Sequence, residues 1–145
     1  MNRPRRRVRG LAVHAAFYAL LAIVAGPIAI CGAAGSISVE VLYMSHGPLQ
    51  PTLQELRAVL ARHNDRLTVS WYDVDSEAGA AFMAMKGITG HVPLDIWVNG
   101  KDTAVVGGKA IRFLGFPTGA GPTFFQGKWT MIDLAQLLEL LTREP

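Results

Sequence analysis

Two histidines stand where they could do chemistry. His46 falls in Ser45-His46-Gly47-Pro48-Leu49, and His91 in Gly90-His91-Val92-Pro93. A neutral imidazole serves as a general base or as a metal ligand. If His46 opens a helix, the positive end of the helix dipole disfavours the imidazolium and keeps the ring neutral. Met44 lies close to His46 in sequence, and two histidines with a thioether would suit copper in softness. The pair has no assigned third ligand, however, and a solvated surface histidine accounts for each ring as well. No metal and no cofactor is therefore expected. His14 and His63 belong to other segments, an apolar arm and a helix end, and do not extend the constellation.

The sequence holds one cysteine, Cys31, within 145 residues. That excludes an internal disulfide framework, a four-cysteine zinc site and intramolecular dithiol chemistry. A nucleotide site is rejected as well. Gly119-Ala120-Gly121-Pro122 is glycine-rich but opens no helix onto which phosphates could be set. The pI of about 9.4 invites a nucleic-acid reading, which the placement of charge removes. Arg3, Arg5, Arg6, Arg7 and Arg9 precede every acidic residue, whereas residues 36–145 carry nine Lys or Arg against eleven Asp or Glu. The basic character belongs to a short arm and not to a binding face. With 50% hydrophobic and 17% charged residues, the chain is also too apolar for an intrinsically disordered protein.

The arm leads into residues 11–30, LAVHAAFYALLAIVAGPIAI, which hold no formal charge with His14 neutral, and then into the small residues Gly32-Ala33-Ala34-Gly35-Ser36. Basic, apolar, small is the order of a secretory signal, with cleavage after Ala33 or Ala34. Twenty apolar residues also come close to spanning a bilayer, so an uncleaved N-terminal anchor is the alternative. Either way the arginines stay in the cytoplasm and the body lies outside it, periplasmic in a Gram-negative cell. Ile30 before Cys31 is not the small residue that lipidation of that cysteine would need. Residues 1–35 are thus a signal peptide or membrane anchor, and 36–145 form the folded domain.

Within that domain, Ile37, Val39, Val41 and Tyr43 alternate with Ser38 and Glu40, as in a strand with one buried face. A helix follows Pro48 and runs to about His63, with Leu53, Leu56, Val59 and Leu60 on one stripe. Leu67, Val69 and Trp71 mark a second strand, ending near Val74. Asp75-Ser76 can cap a helix over Glu77–Lys86, closed by Gly87. Leu94–Val98 is a third strand, and Asn99-Gly100 is a two-residue hairpin signal. The chain returns as strand from about Thr103, interrupted at Gly107-Gly108, and resumes over Ala110–Leu114. Thr130 and Asp133 resemble a capping box for a last helix that carries Ile132, Leu134, Leu137, Leu138 and Leu141. The order βαβαββα predicts an α/β fold, a mixed sheet with helices on both faces, preceded by the N-terminal hydrophobic helix.

This order resembles the thioredoxin-like superfamily. His46-Gly47-Pro48-Leu49 is similar to the family's redox motif Cys-Gly-Pro-Cys with both cysteines replaced. Tyr72-Asp73-Val74-Asp75 resembles the family's acidic strand end. Gly87-Ile88-Thr89-Gly90-His91-Val92-Pro93, followed by an apolar strand and Asn99-Gly100-Lys101, is similar to its Gly-Ile-x-Gly-Ile-Pro segment. The resemblance implies a cis bond before Pro93. It also implies a shallow apolar groove between the turn and the proline loop, where a peptide pairs with the free backbone before Pro93. Thiol–disulfide exchange needs an attacking thiolate and a second thiol, and His46 and Leu49 supply neither.

The expected function is therefore non-redox binding of a protein or peptide partner. His46, Gly47, Pro48, Leu49, His91, Val92 and Pro93 would line the groove, and there would be no catalytic residue. Neither nucleic acid nor, apart from the N-terminal segment if it is retained, the membrane is an expected partner. The alternatives are an enzyme or copper-handling protein using His46 and His91, a small membrane-anchored structural subunit, and a groove that serves only folding. One segment exceeds a minimal domain of this kind. Residues 107–129 are rich in glycine and carry Phe113, Phe116, Phe124, Phe125 and Trp129. Phe113 and Trp129 are expected in the core, and the remainder forms either core or a specificity loop beside the groove.

Overall fold

The computed structural model describes residues 36–45 and 47–143. The hydrophobic stretch 11–30, Cys31 and His46 lie outside the described residues. Among those described, no helix is long and apolar enough to cross a membrane.

Strand β1 (Ile37–Tyr43) is followed by a short 3-10 turn (Gly47–Leu49) and α1 (Gln50–Ala61), then β2 (Leu67–Asp73), α2 (Glu77–Lys86) and β3 (Leu94–Val98). A hairpin of β4 (Thr103–Val106) and β5 (Lys109–Arg112) precedes a second 3-10 turn (Thr123–Phe125) and α3 (Met131–Arg143). The main sheet has the order β2-β1-β3. Strand β1 pairs in parallel with β2, from Ile37 opposite Leu67 to Tyr43 opposite Asp73. It pairs antiparallel with β3, from Val39 opposite Val98 to Tyr43 opposite Leu94. A central strand with a parallel neighbour reached through a helix and an antiparallel neighbour on its other side is the thioredoxin-like arrangement.

Alternation along the strands sorts side chains between two faces. Val39 and Val41 of β1 and Leu94, Ile96 and Val98 of β3 face α1 and α3. There they meet Leu53, Leu56 and Leu60 of α1 and Leu134 and Leu138 of α3 in one continuous apolar core. Leu42 and Trp97 point the other way, onto Phe82 of α2. The expected caps form. Ser76 Oγ accepts from the Gly79 N–H at 2.9 Å. The Asp133 carboxylate accepts from the Thr130 N–H at 2.7 Å while Thr130 Oγ1 accepts from the Asp133 N–H at 3.2 Å, a reciprocal capping box that starts α3.

The region after Asn99-Gly100 departs from the sequence expectation. The turn itself forms, with Val98 and Lys101 bonded to each other's backbone. The returning chain leaves β3 at once. Gly107-Gly108 is a turn and not an interruption, because both residues have positive φ (56° and 79°) and fold β4 back on β5. The chain beyond β5 then takes the place beside β3. Ile96 N–H donates to Phe113 C=O at 3.0 Å and Gly115 N–H to Leu94 C=O at 2.8 Å. The fourth position of the sheet is thus filled by residues 113–115.

Candidate functional site

The turn after β1, the loop before β3 and the glycine-rich segment meet at one end of the sheet. Met44 N–H donates to the Pro93 carbonyl at 3.0 Å, which fixes the proline loop against the end of β1. Leu49 is buried and anchors the turn from below, leaving Pro48 and Gly47 exposed. Gly47 has open space where a side chain would stand.

The third wall comes from the segment that a minimal domain would not need. Phe116 and Phe125 are tied to each other through their backbones: Phe116 N–H donates to Phe125 C=O at 2.9 Å, and Gly127 N–H donates back to Phe116 C=O at 2.7 Å. Gln126 secures the tip of the loop, accepting from the Gly119 N–H and donating to the Gly121 carbonyl, both at 3.1 Å. Trp129, fully buried, directs its indole N–H at the Leu114 and Gly115 carbonyls, each at 3.2 Å. Gly115 and Gly127 are required by close approach. A Cβ on Gly115 would overlap the Phe125 carbonyl oxygen, and one on Gly127 the Leu114 carbonyl oxygen.

Together these pieces enclose a pocket of about 150 Å³ lined by Met44, Pro48, Leu49, His91, Pro93, Phe116, Pro122 and Phe125. A shallower depression of about 260 Å³ continues along His91, Val92 and Pro93 to Leu114, Phe124 and Gln126. His91 belongs to both, its ring 5.8 Å from that of Phe125. Phe124 is 81% exposed and lies 4.3 Å, ring to ring, from Phe125. No lining side chain of either hollow carries a formal charge. Among the described residues, neither the N–H nor the C=O of Val92 has a backbone partner. The site is therefore an apolar hollow beside the unpaired backbone of Val92, which can hold an apolar side chain and hydrogen-bond the chain that carries it.

Of the residues expected here, Pro48, Leu49, His91 and Pro93 line the pocket and Val92 the adjoining depression. Gly47 stands next to the pocket and does not line it, and His46 lies outside the described residues. Sequence reasoning considered Met44 only as a metal ligand, missed Pro122, and left Phe116 and Phe125 undecided between core and loop. The signal for Phe116, Pro122 and Phe125 was the unaccounted length of residues 107–129. Phe113 and Trp129 are core residues, as expected, with their rings edge-to-face at 5.6 Å. Among the described residues, no group of three His, Cys, Asp or Glu side chains is placed to hold a metal.

No family model and no curated protein sequence matches the chain. Among solved structures, it is similar to chloroplastic thioredoxin z, whose structure is described as defining a type-specific target recognition. The identity is 18%, over 74% of this chain and 80% of that one, with a TM-score of 0.45. The strand order β2-β1-β3, with β2 parallel and β3 antiparallel to β1, is that of a thioredoxin-like fold.

Proposed function

We propose that residues 36–145 form a non-redox, thioredoxin-like binding domain that holds an extended protein or peptide segment outside the cytoplasm. The observation that carries this reading is the unpaired backbone of Val92 beside an uncharged pocket with walls from three separate segments. Main-chain bonds to Val92 would supply affinity and the pocket would select an apolar side chain. A cis bond at Val92–Pro93 belongs to this proposal, since it would turn that backbone outward. The basic, apolar and small succession of residues 1–35 supports export, with the segment either removed or kept as an anchor. The lone Cys31, far in sequence from the turn, supports a role without dithiol exchange.

The test is affinity capture from membrane and extracytoplasmic fractions, with mass spectrometry of the partner and of the mature N-terminus. Two variants accompany it. Phe125→Ala removes a wall of the pocket, and Gly47→Trp adds bulk beside it in open space. Loss of capture by both variants, with melting temperature nearly unchanged, is the expected result. Capture that survives both and disappears on removal of residues 1–35 would refute the groove and favour a subunit held by its N-terminal segment.

A further inference from the structure

The face of the sheet beneath α2 contains a buried carboxyl group with one oxygen unpartnered among the described residues. Alternation on β3 sends Leu94, Ile96 and Val98 into the main core and turns Asp95 toward the side of Trp97. Asp95 is only 2% exposed, and its Oδ1 has no hydrogen-bond partner among the described residues. It stands opposite Leu42 on one side and Leu114 on the other. The two backbone bonds that hold residues 113–115 to β3, Ile96 to Phe113 and Gly115 to Leu94, flank it directly.

The charges nearest to it are already engaged. Lys86 of α2 donates to Glu40 of β1 at 2.8 Å and lies over the Phe82 and Trp97 rings. Arg112 of β5 is paired at 2.6 Å with Asp102, which lies between β3 and β4. Tyr72 of β2 also lies on this face, its ring stacked on that of Phe82 at 4.0 Å. Each nearby cation thus has another carboxylate as its partner. An ionised Asp95 in this position would be a buried charge without compensation, which is strongly unfavourable.

We propose that Asp95 is a proton-operated latch on the edge formed by residues 113–115: neutral, it lies quietly under that edge, and ionised, it drives the segment away from β3 to reach water and Arg112. Burial, and after it the Asp102 carboxylate, push the group from its ordinary value of 3.8 up to about 7, against weaker opposing effects of Arg112, the Ile96 N–H and Lys86. The native carboxyl therefore keeps its proton over a range in which the unfolded or opened chain has lost it. Stability is greatest below the opened-state value, falls as pH rises between about 3.8 and about 7, and levels off above that. The segment runs straight into Phe116, and Trp129 clasps its carbonyls, so the third wall of the pocket moves with the latch. The inference rests on the fold and not on the peptide-binding reading. Its readout involves no ligand, and failure of either leaves the other standing.

Amide hydrogen exchange of the full chain, followed by NMR at pH 5.5 and pH 8.5 and normalised to intrinsic exchange rates, tests it. Protection of the Ile96 and Gly115 amides and of the Trp129 indole N–H should fall by about tenfold or more at the higher pH, since each unit of pKa difference is worth a factor of ten. The β1–β2 amides should keep theirs. Asp95→Asn, which cannot ionise, should abolish the difference. Should that variant fail to fold, titration of the Asp95 carboxyl by its carbon chemical shift in the parent protein decides the matter. A midpoint near 3.8 would overturn the proposal, as would pH-independent protection at Ile96 and Gly115, a uniform loss across all strands, or an Asn variant that keeps the pH dependence.

Discussion

The two faces of the central sheet are built on different terms. The face under α1 and α3 is an unbroken apolar layer in which Val39, Ile96, Phe113, Trp129 and Leu138 are wholly buried. The face under α2 rests on three buried side chains, Leu42, Phe82 and Trp97, and beside them accepts the Lys86–Glu40 ion pair and the lone Asp95. The first face secures the fold through area removed from water, which is non-directional and tolerant of detail. The second has less apolar surface and depends on its small aromatic cluster and on the close backbone approach at Gly79. The comparison teaches where function can be carried. The groove walls grow from the apolar face through Phe116 and Trp129, while sensitivity to protons enters from the other side of the same strand.

Three substitutions would break or sharpen this contrast. Trp129→Ala should be the most damaging, because it opens a large cavity and leaves the Leu114 and Gly115 carbonyls without their donor. A loss of about 3–5 kcal/mol is expected from denaturant titration, with the pocket wall lost as well. A loss below about 1 kcal/mol would mean that the apolar face is not what secures residues 113–129.

Gly79→Ala probes the second face. In a helix interior this exchange ordinarily stabilises by about 1 kcal/mol. Here a Cβ would overlap the Asp73 carbonyl oxygen, where α2 crosses the end of β2. The sign should reverse, with destabilisation of about 1–3 kcal/mol in urea unfolding. A stabilised variant would show that α2 packs loosely.

Lys86→Met should have the smallest effect. It removes a partly exposed ion pair and keeps the stem that covers Phe82 and Trp97, so the change should stay within about 1 kcal/mol at moderate salt. A larger loss would show that charge, and not the aromatic cluster, secures this face.

The local elements were legible because each is written in a short stretch of chain. The alternation of Ile37–Tyr43, the stripe from Leu53 to Leu60, the Ser76 cap and the Thr130–Asp133 box are decided within a few residues, where sterics and near-neighbour hydrogen bonds dominate. Four of the seven expected groove residues line the pocket for the same reason: Pro48, Leu49, His91 and Pro93 sit at the ends of strands whose positions the pattern gives. Gly107-Gly108 was harder to read, because two glycines in a row signal a turn equally within a broken strand and between two separate ones.

By itself, the sequence determined the order of elements, the caps, the main core face, and the absence of a second thiol. All of these depend on residue type and on spacings of a turn or less. Only the tertiary structure decided which segment fills the sheet beside β3, that Phe116, Pro122 and Phe125 complete the pocket, and that Asp95 is buried with its Oδ1 unpartnered among the described residues. Those outcomes depend on pairings across tens of residues, where many registers satisfy the same alternation. The choice among them comes from packing on Trp129 and from backbone bonds at Gly115 and Gly127, where close approach leaves no room for a side chain.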